Sequence, residues 1–508
     1  MSLYVIGIGG TGAKCLEAIT NLSATGLLIK PGQPEQTVNL LFIDADETNG
    51  SLERARNSLN LYQQNHSLLS SNRAPVPWMQ TQIKSLNLWS PFSRTSTDKK
   101  LGNFFGYNTL KQNTPPLGNL FDVLFTESER EVALDVGFRG RPAIGSAVMS
   151  QIDLQRLDEE PWRTLIERIQ GDAGGGLAPK VILYGSMFGG TGASGLPTLG
   201  RLLANKLART GLKDRVKIAC VFLLPYFGFT PPVRGTEEVY ARADQFLLNT
   251  EAALRYYLTQ AERVFDTVYL LGNQSLSQVE FSVGKQSQRN KPHFVELFAA
   301  LAARHFSLNA LNETSPIFLI SRQQQGRLNW RDLPETMQVK EGLGNAARFA
   351  YVWLANIAPE LARAKSVGIN RFQREAPWFI RFFQPNTGTI ERMMGLGGDQ
   401  MADFNDAKEQ AAIVTISDWC KDYLRWLADF HQCEGEEVML FKESLLTKPT
   451  GEQIIPDELS QIILGMEQDR AKQANDTISK LRTNLDRTPP LGKGTIGLAQ
   501  TLYALCKP

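Results

Sequence analysis

The sequence predicts an α/β protein: a doubly wound, mostly parallel sheet followed by a mainly helical C-terminal region. Three observations predict it. Short apolar runs without polar alternation recur up to about residue 272, helical stretches lie between most of them, and two run-to-helix junctions are rich in glycine. At 508 residues the chain exceeds one ordinary domain, and 42% hydrophobic content suffices for more than one core.

The elements follow in order. Residues 3–8 (LYVIGI) read as the first strand, then a glycine turn and a helix from about Gly12 to Leu28. VNLLFID (38–44), VILYGS (181–186), VKIACVFLLP (216–225) and VFDTVYLLG (264–272) are further strands of the buried type. Helices are expected at roughly 146–170, 192–209, 238–262 and 293–308. In such sheets ligands bind at the carboxyl ends of the strands. Between Thr48 and Gly137 the pattern weakens into stretches rich in Ser, Asn, Gln and Pro, read as an insertion with long surface loops that folds in part locally. Beyond about Arg322 the helical period dominates, at 344–365, 405–432 and 457–485. In the second of these, Ile413, Ile416, Cys420, Tyr423, Leu424, Leu427 and Phe430 fall near one face and read as a core stripe. The expected division is residues 1–310, with the insertion at about 48–137 and a central helix at about 291–308, and then a helical domain over 311–508.

Composition excludes several classes. Lys plus Arg number 54 against 52 for Asp plus Glu, so no general cationic field draws nucleic acid. Five cysteines without CxxC spacing and four scattered histidines give neither a disulfide framework nor a zinc site, and fit buried thiols in a reducing cytoplasm. The N-terminus MSLYVIGIGGTG lacks a basic segment followed by a long apolar run, and no segment offers about 18 uninterrupted apolar residues. A cytoplasmic protein without a transmembrane segment is expected.

Two loops carry the chemistry. IGIGGTGAK places Gly7, Gly9, Gly10 and Gly12 between the first strand and helix, where the backbone approaches a phosphate and free amides supply donors. Alone, it also fits the GxGxxG dinucleotide signature. YGSMFGGTGASGLP repeats the arrangement with Gly185, Gly189, Gly190, Gly192 and Gly195, and a dinucleotide fold needs only one such loop. Two helix N-termini on one polyphosphate explain both loops, with the Thr191 hydroxyl available to phosphate or a metal. Neither loop contains GxxxxGK[ST], so no Walker lysine is expected.

The second loop, Gly189-Gly190-Thr191-Gly192 with Pro197 five residues on, resembles the signature loop of the tubulin/FtsZ superfamily, GGTGTGAAP in the FtsZ branch. Four other places resemble the family's pattern in its order. Asp44-Ala45-Asp46 is similar to its NTDAQ loop, and Gly140-Arg141-Pro142 with Gly145 to its third glycine loop. After Pro225, Glu238 and Arg242 resemble its pair that holds ribose and phosphates. Asp266 and Asn273 resemble its VDxxxxxPN segment, whose Asn recognises the guanine edge. The resemblance covers about residues 1–310 and implies a divergent prokaryotic tubulin-like protein. It implies GTP or GDP, with Mg2+ accompanying a triphosphate, held by Gly9, Gly10, Thr11, Gly12, Asp44, Asp46, Gly140, Arg141, Gly189, Gly190, Thr191, Gly192, Glu238, Arg242 and Asn273. In KPHFVELFAALAARHF, Glu296 would accept from the base and Phe294 or Phe298 would stack on it, although both rings also fit core packing. These positions leave guanine and adenine both open.

One departure bears on catalysis. The family's NxDxxD or NxDxxE loop, whose acid completes the neighbouring subunit's GTPase site, is SLNALNETSP here, with Glu313 its only carboxylate. Glu313 is therefore the candidate catalytic residue of a slow GTPase that depends on self-association. The leading expectation is a nucleotide whose state controls self-assembly, as in a head-to-tail filament, or docking of a protein partner through the C-terminal helices or the 48–137 insertion. A non-hydrolysing scaffold is the alternative. An NAD-dependent oxidoreductase is the third, with Asp44 or Asp46 on the ribose. That acid lies over 30 residues beyond Gly12 rather than about 20, and no separate catalytic constellation accompanies it.

Overall fold

The computed structural model describes residues 2–29, 37–70, 75–92, 99–230, 241–261, 264–282, 284–309, 316–320, 326–384, 401–433, 437–448, 458–465 and 477–508. Its centre is a seven-stranded, all-parallel sheet: β1 (Ser2–Ile8), β2 (Thr37–Ile43), β3 (Gln82–Ser85), β4 (Lys180–Ser186), β5 (Lys217–Leu223), β6 (Thr267–Leu271) and β7 (Ile317–Ile320). The spatial order is β3-β2-β1-β4-β5-β6-β7. In β1, Val5 pairs with Leu40 of β2 and Ile182 of β4, which sets the central register.

The strands are apolar throughout because both faces of the sheet are covered. Leu3 and Val5 enter one core, while Tyr4, Ile6 and Ile8 enter the other. The principal helices are α1 (Gly9–Ala24), α2 (Gly50–Ser70), α3 (Pro142–Ser150), α4 (Trp162–Gly174), α5 (Gly190–Arg209), α6 (Phe246–Tyr256), α7 (Phe294–Leu308), α8 (Thr336–Val352), α9 (Ala407–Phe430) and α10 (Gly494–Leu505). Helices α1, α2, α7, α8, α9 and α10 supply the first core, and α3, α4 and α5 the second. The first core runs on into the C-terminal helices. Trp78 lies 4.7 Å from Phe349, 5.6 Å from Trp419 and 5.5 Å from Tyr503, ring centre to ring centre. Glu17 of α1, fully buried, accepts from Arg54 of α2 at 2.9 Å and from Arg425 of α9 at 2.8 Å.

Several elements differ from the sequence reading. The stretch beginning at Thr48 does not open as surface loop: α2 packs on α1 through Leu52, Ala55, Leu59, Tyr62 and Leu69, and β3 extends the sheet. Its apolar stripe is thin among Asn, Gln and Ser, so the helical period was weak. The helix expected at 146–170 is two, because Asp153 caps a separate turn at Leu154–Asp158 and Pro161 precedes α4. That expected at 238–262 starts only at Phe246. The helix placed at 344–365 extends from Thr336 to Val367. Its turn widens at Trp353–Ile357, just before Pro359, which brings no amide to the ladder. Within 457–485 the described helices are Glu458–Gln461 and Ile478–Arg487. The stripe on α9 is core as expected, with Ile413 at its margin. All five cysteines are buried free thiols. No helix among the described residues is long and apolar enough to cross a membrane.

Candidate functional site

From β1 the chain steps outward to β2 and β3, then returns to place β4 on the other side of β1. Such a reversal opens a crevice beyond the carboxyl ends of β1 and β4. Helices α1 and α5 begin there, α1 directly after β1 and α5 three residues after β4, and Gly9, Gly10 and Gly189–Gly192 line one cavity between them. Their unpaired amides and positive dipole ends make the cavity a site for anions. Gly9 turns the chain out of β1 at φ +75°, and a Cβ there would stand 3.3 Å from Cβ of Thr191, so the two loops touch.

Two acids occupy one side. Asp46 is committed to structure: it accepts from the backbone and hydroxyl of Thr48, at 3.1 and 2.9 Å, and from the amide of Lys285 at 2.6 Å. Asp44 receives the Asp46 amide at 3.2 Å and the Thr191 hydroxyl at 3.4 Å on Oδ1, while its buried Oδ2 has no hydrogen-bond partner among the described residues. Burial, with the neighbouring Asp46 carboxylate, pushes the Asp44 carboxyl up to about 7. A folded pKa above the unfolded value favours the folded chain fully at low pH, and that advantage is lost as the pH rises through about 7. In nucleotide- and metal-free protein, Asp44→Asn is therefore expected to add a few kcal/mol of stability at pH 8 and much less at pH 5. Denaturant unfolding of both chains at the two pH values checks this; equal differences at both would refute it.

The remaining lining is polar on one side and aromatic on the other. Asn49 accepts from the Ser51 amide at 2.9 Å, capping α2, and donates to Gln288 at 3.0 Å; Gln288 and Asn290 both line the cavity. Phe188, Phe227, Phe229 and Phe246 form the aromatic wall, with Phe188 and Phe246 4.7 Å apart. Lys14, 3% exposed, lies near the rings of Tyr226 and Phe227 and pairs with Glu296.

Of the residues singled out in the sequence, Gly9, Gly10, Thr11, Asp44, Asp46, Gly140, Gly189, Gly190, Thr191 and Gly192 come together around this cavity. Gly12 does not line it; its Cα faces the carbonyl carbon of Gly7 and the carbonyl oxygen of Tyr184, where α1 crosses the sheet. Arg141 points into a different groove, with Glu129 3.9 Å away. Arg242 is half exposed and pairs with Asp244 at 2.6 Å, and Asn273 donates to the Ser275 carbonyl at 2.8 Å; neither side chain lines the cavity. Glu296 is corrected as a base acceptor. It caps α7 through the His293 amide at 2.8 Å, accepts from the Tyr226 hydroxyl at 2.6 Å and pairs with Lys14, so its oxygens are taken. Phe294 and Phe298 pack in the core. Glu238 and Glu313 lie outside the described residues.

Sequence reasoning missed Lys14, Asn49, Ser51, Gln288, Asn290 and the aromatic wall. Lys14 stood inside the quoted loop, and Asn49 precedes a helix as a capping residue does. Residues 282–290 carry no periodicity that would have marked them.

No family model matches the chain, and no curated protein matches it. Among solved structures it is similar to a CetZ2 protofilament from Haloferax volcanii with GTPγS bound, at 15% identity, covering 62% of this chain and 61% of that one, with a TM-score of 0.26. It is also similar to CetZ from Methanosaeta thermophila strain DSM 6194, at 13% identity, covering 62% and 57%, again with a TM-score of 0.26. The chain thus spans about three fifths of the length of either. At this TM-score the likeness is faint.

Proposed function

We propose that the crevice between α1 and α5 binds a guanine nucleotide, and that the state of this nucleotide controls self-assembly or docking of a protein partner. The observation that carries the reading is that two glycine-started helices line one cavity, which suits a polyphosphate better than the single loop of an NAD-dependent oxidoreductase. The aromatic wall suits a stacked base, and the Asn49, Gln288 and Asn290 amides suit hydrogen bonds to a base or ribose. The guanine assignment rests on the sequence resemblance of the glycine loops to the tubulin/FtsZ pattern. The orphaned Asp44 Oδ2 beside the Thr191 hydroxyl fits a magnesium ion, which would neutralise charge on a triphosphate. Weak or absent hydrolysis follows from the loop around Glu313, which lacks the family's acid pattern.

The test is calorimetric titration of the full chain with GTP, ATP and NAD, beside the Gly10→Asp variant. A Cβ at Gly10 meets only the Asn49 side-chain amide, at 3.2 and 3.3 Å, so the variant folds while placing a carboxylate where phosphate would sit. GTP is expected to bind the natural chain and to lose about 100-fold in affinity in the variant, an effect of roughly 3 kcal/mol from charge repulsion. Binding of NAD alone, or of GTP equally to both chains, would overturn the reading. Sedimentation with GTP against GDP then reads the assembly step, and identical profiles would leave the non-hydrolysing scaffold.

A further inference from the structure

Arg141 was singled out by its glycine-loop motif, yet the structure turns it away from the crevice into a groove between α3, α5 and α6. This groove encloses about 480 Å³, within the roughly 300–1,000 Å³ usual for small-molecule sites. Among the described residues, Arg141 Nε is buried there without a hydrogen-bond partner, and the one ion pair of its guanidinium, to Glu129, is long at 3.9 Å. Arg201, one face further along α5, enters the same groove, and no carboxylate among the described residues pairs with it. Ser146 adds a hydroxyl. Ala143, Ala253 and the partly exposed Tyr256 ring supply apolar surface beside these groups.

We propose that this groove is a second ligand site, for a small phosphate-bearing molecule. Two guanidinium groups offer forked donors that match phosphate oxygens, and a buried donor left unpaired is costly, so an acceptor at Arg141 Nε stabilises the site. The charge balance selects an anion. Glu129 offsets one of the two arginines and leaves the groove net positive, so an anionic phosphate group is drawn to it. The apolar side takes the body of the molecule, with the Tyr256 ring as a face for it. None of Arg141, Arg201, Ser146 and Tyr256 lines the crevice between α1 and α5, so the inference stands apart from what occupies that crevice.

The experiment uses inorganic pyrophosphate as the probe, titrated calorimetrically into the full chain carrying Gly10→Asp, which closes the crevice to phosphate. One binding event is expected. Adding Arg201→Glu weakens it at least about tenfold, the scale of one charge-assisted hydrogen bond, and Arg201→Lys in its place, which keeps the charge and loses the fork, weakens it less. Arg141→Gln, whose removed charge leaves Glu129 unpaired at the rim, weakens it similarly. Melting temperatures of the Arg201 variants equal to that of their parent establish that folding is not the cause. Pyrophosphate binding that ignores both arginines, or no binding at all in the Gly10→Asp chain, overturns the proposal. The Arg201→Glu change alone leaves GTP titration of the natural crevice unaltered, so a failure of GTP to bind bears on the crevice and not on this groove.

Discussion

Replacing Glu17 by alanine destabilises the folded chain by about 3 to 5 kcal/mol, the cost of leaving buried cations without their anion. Glu17 is fully buried in α1, and its carboxylate holds Arg54 of α2 and Arg425 of α9 at 2.9 and 2.8 Å. Burial by itself would raise its pKa, but the two guanidinium groups more than offset this and hold it below the ordinary carboxylate value. The sign of the pH dependence follows. A carboxyl with a depressed folded pKa contributes stability above its unfolded value, and that contribution disappears as the pH falls through the folded one. The natural chain therefore loses stability on acidification below about pH 4.5, and Glu17→Gln loses less over the same interval. Urea unfolding from pH 7 down to pH 3 measures both; a Glu17→Ala chain within about 1 kcal/mol of the natural one would show the pairs to be inert.

Gly12→Ala is expected to cost about 3 kcal/mol and to lower the melting temperature, whereas Gly10→Ala costs little. A Cβ at Gly12 would lie 2.7 Å from the carbonyl carbon of Gly7 and 2.9 Å from the carbonyl oxygen of Tyr184. Both are backbone atoms of paired central strands, β1 and β4, so neither can retreat without breaking the register between them. At Gly10 the added atom meets a side-chain amide that can rotate. Two glycines of one motif thus serve different geometries: one closes helix on sheet, the other leaves room for a ligand. Thermal unfolding of the two variants separates them, and equal melting temperatures would show that α1 can shift off the sheet.

The central sheet was legible in the sequence because strands buried on both faces are apolar at every position, as in LYVIGI and VILYGS. The glycine loops were legible because only helix starts at strand ends use glycine so densely, and Gly9, Gly10 and Gly189–Gly192 do meet. What failed was anything decided by side-chain direction across distant segments. Arg141 sits next to Gly140 in sequence, but the backbone turn sends one to the crevice and the other to the groove behind it. Glu296 reads as an acceptor for the base, yet its position three residues after His293 makes it the cap of α7. The Asn49–Gln288 bond joins residues 239 apart, counting Asp46 to Lys285 likewise, and neither segment carries a pattern that points to the other.

The stacking of Trp78 on Tyr503 sets a schedule for biosynthesis. Chain emerging from the ribosome can form β1 to β6 and cover one face of the sheet with α1, α2 and then α7, but the apolar face around Trp78 has no cover until α8, α9 and finally residue 503 have been made. At roughly 5–20 residues per second this apolar face stays open to other nascent chains for tens of seconds, and a chaperone that shields it in that interval would raise the yield of folded protein without touching its final stability.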